Sequence, residues 1–196
     1  MAQFLFVYGS LIGSDSECLI GPSLSRVPAR VIGLQRGWFL PIPEDCDMGL
    51  GVVFQKDSTC NGVVLEINSK TISEADEREI QHGYSRVQIP SDTIIASNRS
   101  YNRDDKVWAY ITNNAQNPSN MNPIAQSYID VVLSGCIEIS KKFAKEFVET
   151  THGWEFPWID DRQMPRYRRA ISTNAEQVDE LLEQVIPTEF ARRRVI

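Results

Sequence analysis

The first 112 residues are a succession of short β-rich stretches, and this pattern constrains the fold more than any other feature of the chain. Glycines and prolines interrupt the stretches, as they do between strands. The predicted strands are Gln3–Tyr8, Val27–Leu34, Gly37–Ile42, Gly49–Gln55, Gly62–Ile67, Tyr84–Ile89, Asp92–Ala96 and Val107–Thr112. So many short strands in so little chain predict a small curled sheet or β-barrel.

Helices are predicted mainly in the second half of the chain. One helical turn interrupts the strands, because Ser73 and Asp76 have the spacing of a capping box; it would end before Gly83. Residues 113–123, which contain five asparagines and two prolines, are predicted to form a loop. A helix is predicted from Ala125 to Gly135, where the glycine would be the C-cap.

Two further helices are predicted from apolar residues at helical spacing. These residues are Ile139, Phe143 and Phe147 for the first helix, and Val178, Leu181, Leu182 and Val185 for the second. Thr173 and Glu176 form a capping box at the start of the second. The predicted fold class is therefore α+β: a small mixed β-barrel with packed helices, followed by a helical C-terminal extension.

Composition excludes several classes of protein. With 20 Lys and Arg against 26 Asp and Glu, the net charge of −6 argues against a nucleic-acid-binding protein. No apolar run reaches the roughly 20 residues that span a bilayer, so no membrane association is expected. The amino terminus has no basic region and is interpreted as a first strand, not a signal peptide.

The metal-binding residue types are few and scattered. No two of the four cysteines have the CxxC spacing. They are interpreted as reduced thiols of a cytoplasmic protein. The chain has only two histidines, which nearly excludes a His-rich metal site. The adjacent acidic pairs Glu44-Asp45 and Asp160-Asp161 are interpreted as solvated loop residues. We therefore expect no bound metal.

The turn after the first strand is the first candidate site. Val7-Tyr8-Gly9-Ser10-Leu11 ends a buried strand, where backbone N–H groups can converge on an anion. Gly9 would allow close approach of a substrate and a positive φ, and Ser10 adds a hydroxyl donor. An ordinary strand-to-loop turn is the alternative.

A second candidate site lies around Glu79. This carboxylate precedes a strand on which Tyr84 and Arg86 share one face. A carboxylate held against an aromatic strand can acquire the raised pKa of a general acid–base. A solvated, charged helical turn is the alternative.

Together these motifs resemble the γ-glutamylcyclotransferase-like family over about residues 3–150. The turn Tyr8–Leu11 is similar to the family signature at the end of the first strand. The block Asp76-x-x-Glu79…Tyr84-x-Arg86 is similar to a second family block. Further segments that resemble the family are Gly37-Trp38-x-Leu40, Gly62–Ile67, Val107–Tyr110 and Pro123–Tyr128.

The resemblance implies a cofactor-free reaction on a small γ-glutamyl substrate. The substrate's α-amine attacks its own side-chain carbonyl, which forms 5-oxoproline and releases an amine. Glu79 would then be the catalytic general acid–base. The backbone of Tyr8, Gly9, Ser10 and Leu11 would bind the substrate. Two tyrosines, Tyr84 and Tyr110, would line the pocket or bind the substrate too.

Several questions stay open at the level of sequence. Arg86 either orients Glu79 or forms a purely structural ion pair. The protein is either a cyclotransferase or a non-catalytic binding or interaction module of the same fold. Its oligomeric state is unknown.

The domain is expected to span 1–150, with 151–196 as a helical extension packed on it. The aromatic residues of the extension are too apolar for a free tail; they are Trp154, Phe156, Trp158 and Tyr167. Its clustered arginines Arg166, Arg168 and Arg169 could meet a substrate carboxylate near the pocket mouth. Residues 190–196 are interpreted as a solvated basic end.

Overall fold

A computed structural model describes residues 2–16, 25–42, 47–170 and 174–195 of the chain. The strands are β1 (Gln3–Val7), β2 (Arg26–Ile42), β3 (Asp47–Ile67), β4 (Tyr84–Ile89), β5 (Ile94–Ala96), β6 (Lys106–Thr112), β7 (Ile124–Ala125), β8 (Thr151–His152), β9 (Trp158–Asp160) and β10 (Arg194–Val195). The helices are α1 (Ser69–Gln81), α2 (Gln126–Ile139), α3 (Lys141–Thr150), α4 (Ala175–Val185) and α5 (Pro187–Phe190). The predictions for Cys18, Cys46, Glu44, Asp45 and Thr173 lie outside the described residues.

Two long antiparallel strands, β2 and β3, dominate the sheet. They pair from Arg26 opposite Leu65 to Ile42 opposite Asp47, with irregularities after Ile32 and Trp38. The prediction of four short strands in this region was wrong. Gly33 does not end a strand; its φ of 88° accommodates the irregularity within β2.

The sheet is mixed, because β1 pairs antiparallel with β3 and parallel with β6. The path of neighbouring strands is β10-β9-β7-β3-β1-β6-β4, and β2 joins it through β3. In the described ranges, no backbone pairing closes this path into a barrel. The α+β class is confirmed, whereas the barrel is corrected to a curled, open sheet.

Both faces of the sheet are covered, which explains the continuous apolar run of β1. Leu5 and Val7 face a cluster that includes α2, α3 and α4, whereas Phe4 and Phe6 face a second cluster on the other side. Alternate residues of a strand point to opposite faces, so β1 is buried on both. Its carboxyl end therefore lies in the middle of the molecule.

Helix α1 begins earlier than the sequence predicted. Its N-cap is Asn68, whose side chain accepts a hydrogen bond from the Thr71 amide. Ser73 lies inside the helix and donates to the Ser69 carbonyl, so the predicted capping box was wrong. The longer helix has the same carboxyl end, with Glu79 in its last turn and Gly83 beyond it.

Helix α2 passes through Gly135 instead of ending there. A Cβ at this position would lie 2.5 Å from the backbone nitrogen of Gly13. The glycine is needed because the loop after β1 crosses directly over the helix, and the predicted C-cap was wrong. The helix continues to Ile139.

The C-terminal segment joins the sheet and the aromatic core. Trp154 and Trp158 are buried, and the Trp154 ring lies 5.2 Å from that of Trp38 between centroids. Strand β9 pairs with β7, and β10 pairs with β9. The predicted solvated basic end is corrected for Arg193, which forms ion pairs with Asp160 and Asp179, whereas Arg192 and Arg194 are exposed.

The acidic pair Asp160-Asp161 is not solvated, contrary to the prediction. Asp161 is fully buried and accepts hydrogen bonds from the amide and hydroxyl of Ser127 and from the Arg166 amide. Asp160 pairs with Arg162 and Arg193. Asp161 holds the C-terminal segment against α2, and Asp160 forms its ion pairs within that segment.

A fully buried arginine joins β2 to β3 and to the end of α3. The Arg36 guanidinium donates to the Asn61 carbonyl at 2.6 Å, to Asn61 Oδ1 at 2.9 Å and to the Phe147 carbonyl at 2.9 Å. It also donates to Thr151 Oγ1 at 2.8 Å and to Thr150 Oγ1 at 3.1 Å. Burial lowers the pKa of Arg36. No carboxylate in the described parts of the chain forms an ion pair with it.

We predict that Arg36→Lys strongly destabilises the fold. Lysine keeps the charge but lacks the planar fork, so several buried acceptors lose their donors. Each such loss costs about 1–3 kcal/mol, and urea unfolding should show it as a lower midpoint. The exposed Arg103→Lys is the matched control. Equal midpoints for both variants would contradict the assigned role.

Candidate functional site

The candidate site begins at the turn that follows β1. A hydrogen bond of 3.0 Å from the Ile12 amide to the Gly9 carbonyl closes the turn. The Arg26 guanidinium then donates to three successive carbonyls, those of Leu11, Ile12 and Gly13, at 3.3, 2.6 and 3.0 Å. One arginine thus shapes the backbone after the turn, and the sequence analysis did not identify it.

Gly9 is required for close approach and not for its φ. Its φ is not among the positive values of the described residues, which corrects one predicted reason for the glycine. A Cβ at Gly9 would lie 3.3 Å from the Tyr128 hydroxyl oxygen and 3.7 Å from Leu50 Cδ1. The backbone of the turn therefore forms one wall of a narrow space.

That space is a pocket of about 80 Å³ between the turn, α1, α2 and four strands, which are β1, β3, β4 and β6. Its lining includes most of the predicted site residues: Tyr8, Gly9, Ser10, Leu11, Glu79, Tyr84 and Tyr110. Leu50 and Tyr128 complete the wall opposite the turn. Arg86 alone among the predicted residues does not line it.

Three tyrosine hydroxyls in the pocket are bound by the protein itself. Tyr8 donates to the Tyr110 carbonyl at 2.6 Å, and Tyr84 donates to the Leu50 carbonyl at 2.7 Å. Tyr110 donates to Asp76 Oδ1 at 2.9 Å. These bonds commit the hydroxyl protons, so the tyrosines shape the pocket and can offer oxygen lone pairs.

The same tyrosines remain protonated at all physiological pH values. Burial raises the pKa of Tyr8, and the neighbouring Tyr84 and Glu79 raise it further. Burial likewise raises the pKa of Tyr84, with Tyr128 and Glu79 adding to the effect. The tyrosine hydroxyls are therefore fixed donors, and Glu79 is the carboxylate among the residues that line the pocket.

Glu79 lies in the last turn of α1 at the edge of the pocket. Its side chain is 19% exposed, so it contacts both protein and solvent. Oε1 accepts hydrogen bonds from Arg78 Nε at 2.9 Å and from Arg78 Nη2 at 2.8 Å. The other carboxylate oxygen, Oε2, has no such bond from Arg78, which leaves it available to a substrate.

Arg86 pairs with Asp76 and not with Glu79. Its Nη1 donates to Asp76 Oδ2 at 2.7 Å, and its guanidinium lies 4.5 Å from the centre of the Trp108 ring. Asp76 also accepts from Tyr110, so Arg86 supports the pocket wall from behind. Of the two alternatives for Arg86, the geometry favours the structural pair.

Sequence reasoning missed several residues of the site. Asp76 stands three positions before Glu79, a spacing that places both on one helix face, so this signal was available. Tyr128 and Leu50 come from elements far apart in sequence and carry no local signal. Arg169, in contrast, was named in the sequence analysis as a residue near the pocket mouth; its side chain reaches the turn and donates to Ser10 Oγ at 2.8 Å.

No group of three His, Cys, Asp or Glu side chains in the described residues is placed to hold a metal ion. Cys60 and Cys136 are buried free thiols, and burial raises the pKa of Cys60. Among the described residues, no helix has the length and apolarity to cross a membrane.

The chain belongs to the family described as "Gamma-glutamyl cyclotransferase, AIG2-like". The family model matches residues 5–129, which is more than half of the chain and includes the turn, α1 and the pocket strands. No curated protein sequence matches this chain significantly. The resemblance seen in the sequence is therefore confirmed at the level of the family.

Solved structures share the fold at low sequence identity. A structure titled "Gamma-glutamyl cyclotransferase" superposes with a TM-score of 0.60 at 12% identity and covers 94% of this chain and 99% of its own. An uncharacterized protein from Homo sapiens, loc79017, gives 0.55 at 13% identity, with 93% and 98% covered. YkqA from Bacillus subtilis gives 0.53 at 18% identity, with 76% and 53% covered.

We predict that Gly9→Val closes the pocket without unfolding the protein. The new side chain would extend toward the Tyr128 hydroxyl and Leu50, into the small space beside the turn. Calorimetry with γ-glutamylalanine should show affinity reduced about tenfold or more, equivalent to at least 1.4 kcal/mol. The melting temperature of the same variant checks the fold. Unchanged affinity would mean that the ligand binds elsewhere.

Proposed function

We propose that this protein is a γ-glutamyl cyclotransferase with Glu79 as its general acid–base. The observation that carries the proposal is the position of the Glu79 carboxylate at the edge of the pocket behind the β1 turn. Family membership supplies the class of reaction. The proposed substrate is a small compound in which a γ-glutamyl group is joined to an amine.

The proposed reaction is an intramolecular acyl transfer. The α-amino nitrogen of the γ-glutamyl group attacks the γ-carbonyl carbon, and a new C–N bond closes a five-membered ring. The bond from that carbon to the leaving nitrogen then breaks, giving 5-oxoproline and a free amine. The substrate supplies the nucleophile, so no serine or cysteine nucleophile is required.

The first task of the protein is to fold the γ-glutamyl group into this ring geometry. Well-oriented intramolecular reactions reach effective molarities of about 10⁵–10⁸ M. A narrow pocket of about 80 Å³ walled by tyrosines suits this task, because a small space favours a compact form of the γ-glutamyl group. The bound hydroxyls of Tyr8, Tyr84 and Tyr110 keep those walls in place.

The second task is proton transfer. The α-ammonium must lose a proton before it attacks, and the leaving nitrogen must gain one before it departs. Glu79 can take the first proton and return it to the leaving nitrogen, so one carboxylate serves both steps. The second proton, which the ring nitrogen loses as the lactam forms, passes to the released amine, which departs as an ammonium ion. The Arg78 bond to Oε1 holds the side chain and leaves Oε2 for the transfer.

The third task is to stabilise charge on the γ-carbonyl oxygen. Backbone N–H groups that point at a developing oxyanion lower the barrier, because they are already oriented. The turn at Gly9–Leu11 is the proposed source of these donors, since its backbone borders the pocket. Arg26 helps by holding the carbonyls of the following residues on the far side.

We predict that Glu79→Gln abolishes most of the activity while the fold is retained. Glutamine keeps the shape but cannot carry the proton, so 5-oxoproline release should fall by about 10²–10⁴-fold. Glu77→Gln is the matched control, because Glu77 is exposed on the same helix. Turnover by Glu79→Gln at the wild-type rate would refute the mechanism.

A second candidate function is non-catalytic binding of a γ-glutamyl ligand. The ion pair between Arg78 and Glu79 Oε1 favours it, because it gives this carboxylate a structural partner within the protein. Assay of 5-oxoproline release over a panel of γ-glutamyl compounds separates the two functions. Ligand binding without release from any of them would establish the binding protein.

We also predict that activity survives exhaustive chelation. The proposed nucleophile belongs to the substrate, and the proposed proton carrier is a side chain. Treatment with EDTA should therefore leave the rate of 5-oxoproline release unchanged. A loss of activity that an added divalent ion restores would overturn this prediction and implicate a metal.

A further inference from the structure

A second cavity adjoins the pocket and is built partly by the C-terminal segment. Its volume is about 130 Å³, and its lining residues are Ser10, Leu11, Arg78, Glu79 and Arg169. Ser10, Leu11 and Glu79 belong to both cavities. Arg169 lies beyond the residues that the family model matches.

Glu79 stands at the boundary between the two cavities. In the proposed reaction, the scissile bond must lie beside this carboxylate, because the leaving nitrogen receives its proton there. A γ-glutamyl group in the first pocket then places the leaving part of the substrate in the second cavity. The chemistry of that cavity therefore selects the leaving amine.

The second cavity carries an excess of positive charge. Arg78 is balanced by Glu79, to which it is hydrogen-bonded. Arg169 donates to Ser10 Oγ at 2.8 Å and also to the Tyr167 hydroxyl, both neutral acceptors. In the described residues, no carboxylate forms an ion pair with Arg169. The cavity thus has one guanidinium whose charge no protein group balances.

Arg169 is held in place by packing. Its guanidinium lies 5.1 Å from the centre of the Tyr167 ring, and that ring lies 4.6 Å from the Tyr128 ring. Its neighbour Arg166 is bound elsewhere, to Asp47 at 3.0 Å. Of this arginine cluster, Arg169 is the member that lines the cavity.

We propose that Arg169 forms a carboxylate subsite that selects γ-glutamyl amino acids and peptides over γ-glutamyl derivatives of uncharged amines. This inference rests on the proposed function and specifies its leaving group. The guanidinium fork matches the two oxygens of a carboxylate, and charge-assisted bonds of this kind are the strong ones. The carboxylate would replace the neutral acceptors that Arg169 now contacts.

The test compares γ-glutamylalanine with γ-glutamylalanine amide, which differ only in the charge of the leaving part. We expect the wild-type protein to prefer the acid in kcat/KM for 5-oxoproline release. Arg169→Gln should lose about 10–100-fold on the acid and keep its rate on the amide. Arg169→Lys should retain part of the preference, because it keeps the charge.

Arg192→Gln is the matched control, an exposed arginine of the same segment; its preference should equal that of the wild type. A wild type without preference for the acid, or an equal loss on both substrates in Arg169→Gln, would overturn the subsite and leave the proposed function intact.

If neither compound releases 5-oxoproline, the proposed function fails, and calorimetry decides the subsite separately. The subsite would be supported if the wild type bound the acid more tightly than the amide and Arg169→Gln lost this difference. Equal binding, or none, would overturn it.

Discussion

The structure depends on one buried cation. Arg36 has no carboxylate partner and binds neutral acceptors on β3 and around the end of α3, where the last helical carbonyls carry partial negative charge. Its guanidinium also lies 3.4 Å from the centre of the Phe147 ring. A buried charge is costly unless every donor is satisfied. The arrangement of β2, β3 and the end of α3 is therefore fixed by the need to satisfy the Arg36 guanidinium. Two residues further along β2, Trp38 pairs with Leu50, so the same register places Leu50 in the pocket wall.

The pocket and the C-terminal segment support each other through stacked rings. Tyr128 contacts Trp38 on one side and Tyr167 on the other, with centroid distances of 5.8 and 4.6 Å. Arg162, fixed between Asp130 and Asp179, holds the same segment to α2 and α4. A segment outside the matched family region thereby delivers an arginine to the mouth of the pocket. We propose that the part matched by the family model carries the reaction and that the segment beyond it contributes to the choice of leaving group.

The local features of the sequence predicted much of the fold and the proposed reactive group. Alternating and continuous apolar runs predicted β1, β4 and β6, since side-chain periodicity depends on neighbours in the chain. The strand-ending turn and the spacing from Glu79 to Tyr84 were enough to suggest the family. Seven of the eight predicted site residues line the pocket, because the turn, the helix end and two strands each contribute short contiguous motifs.

Most of the errors and omissions arise because long-range contacts override local signals, although the N-cap of α1 at Asn68 is itself a local feature. Gly135 resembles a C-cap in sequence, yet only the approach of Gly13 explains it. The pairing of Arg86 with Asp76 required the packed helix and strand. Sequence alone thus determined β1, β4 and β6, the family and the candidate carboxylate, because each is encoded within a few neighbouring residues. The pocket wall at Tyr128 and the position of Arg169 were decided by tertiary structure, since the residues of the turn that they approach, Gly9 and Ser10, lie more than 100 residues away in the chain.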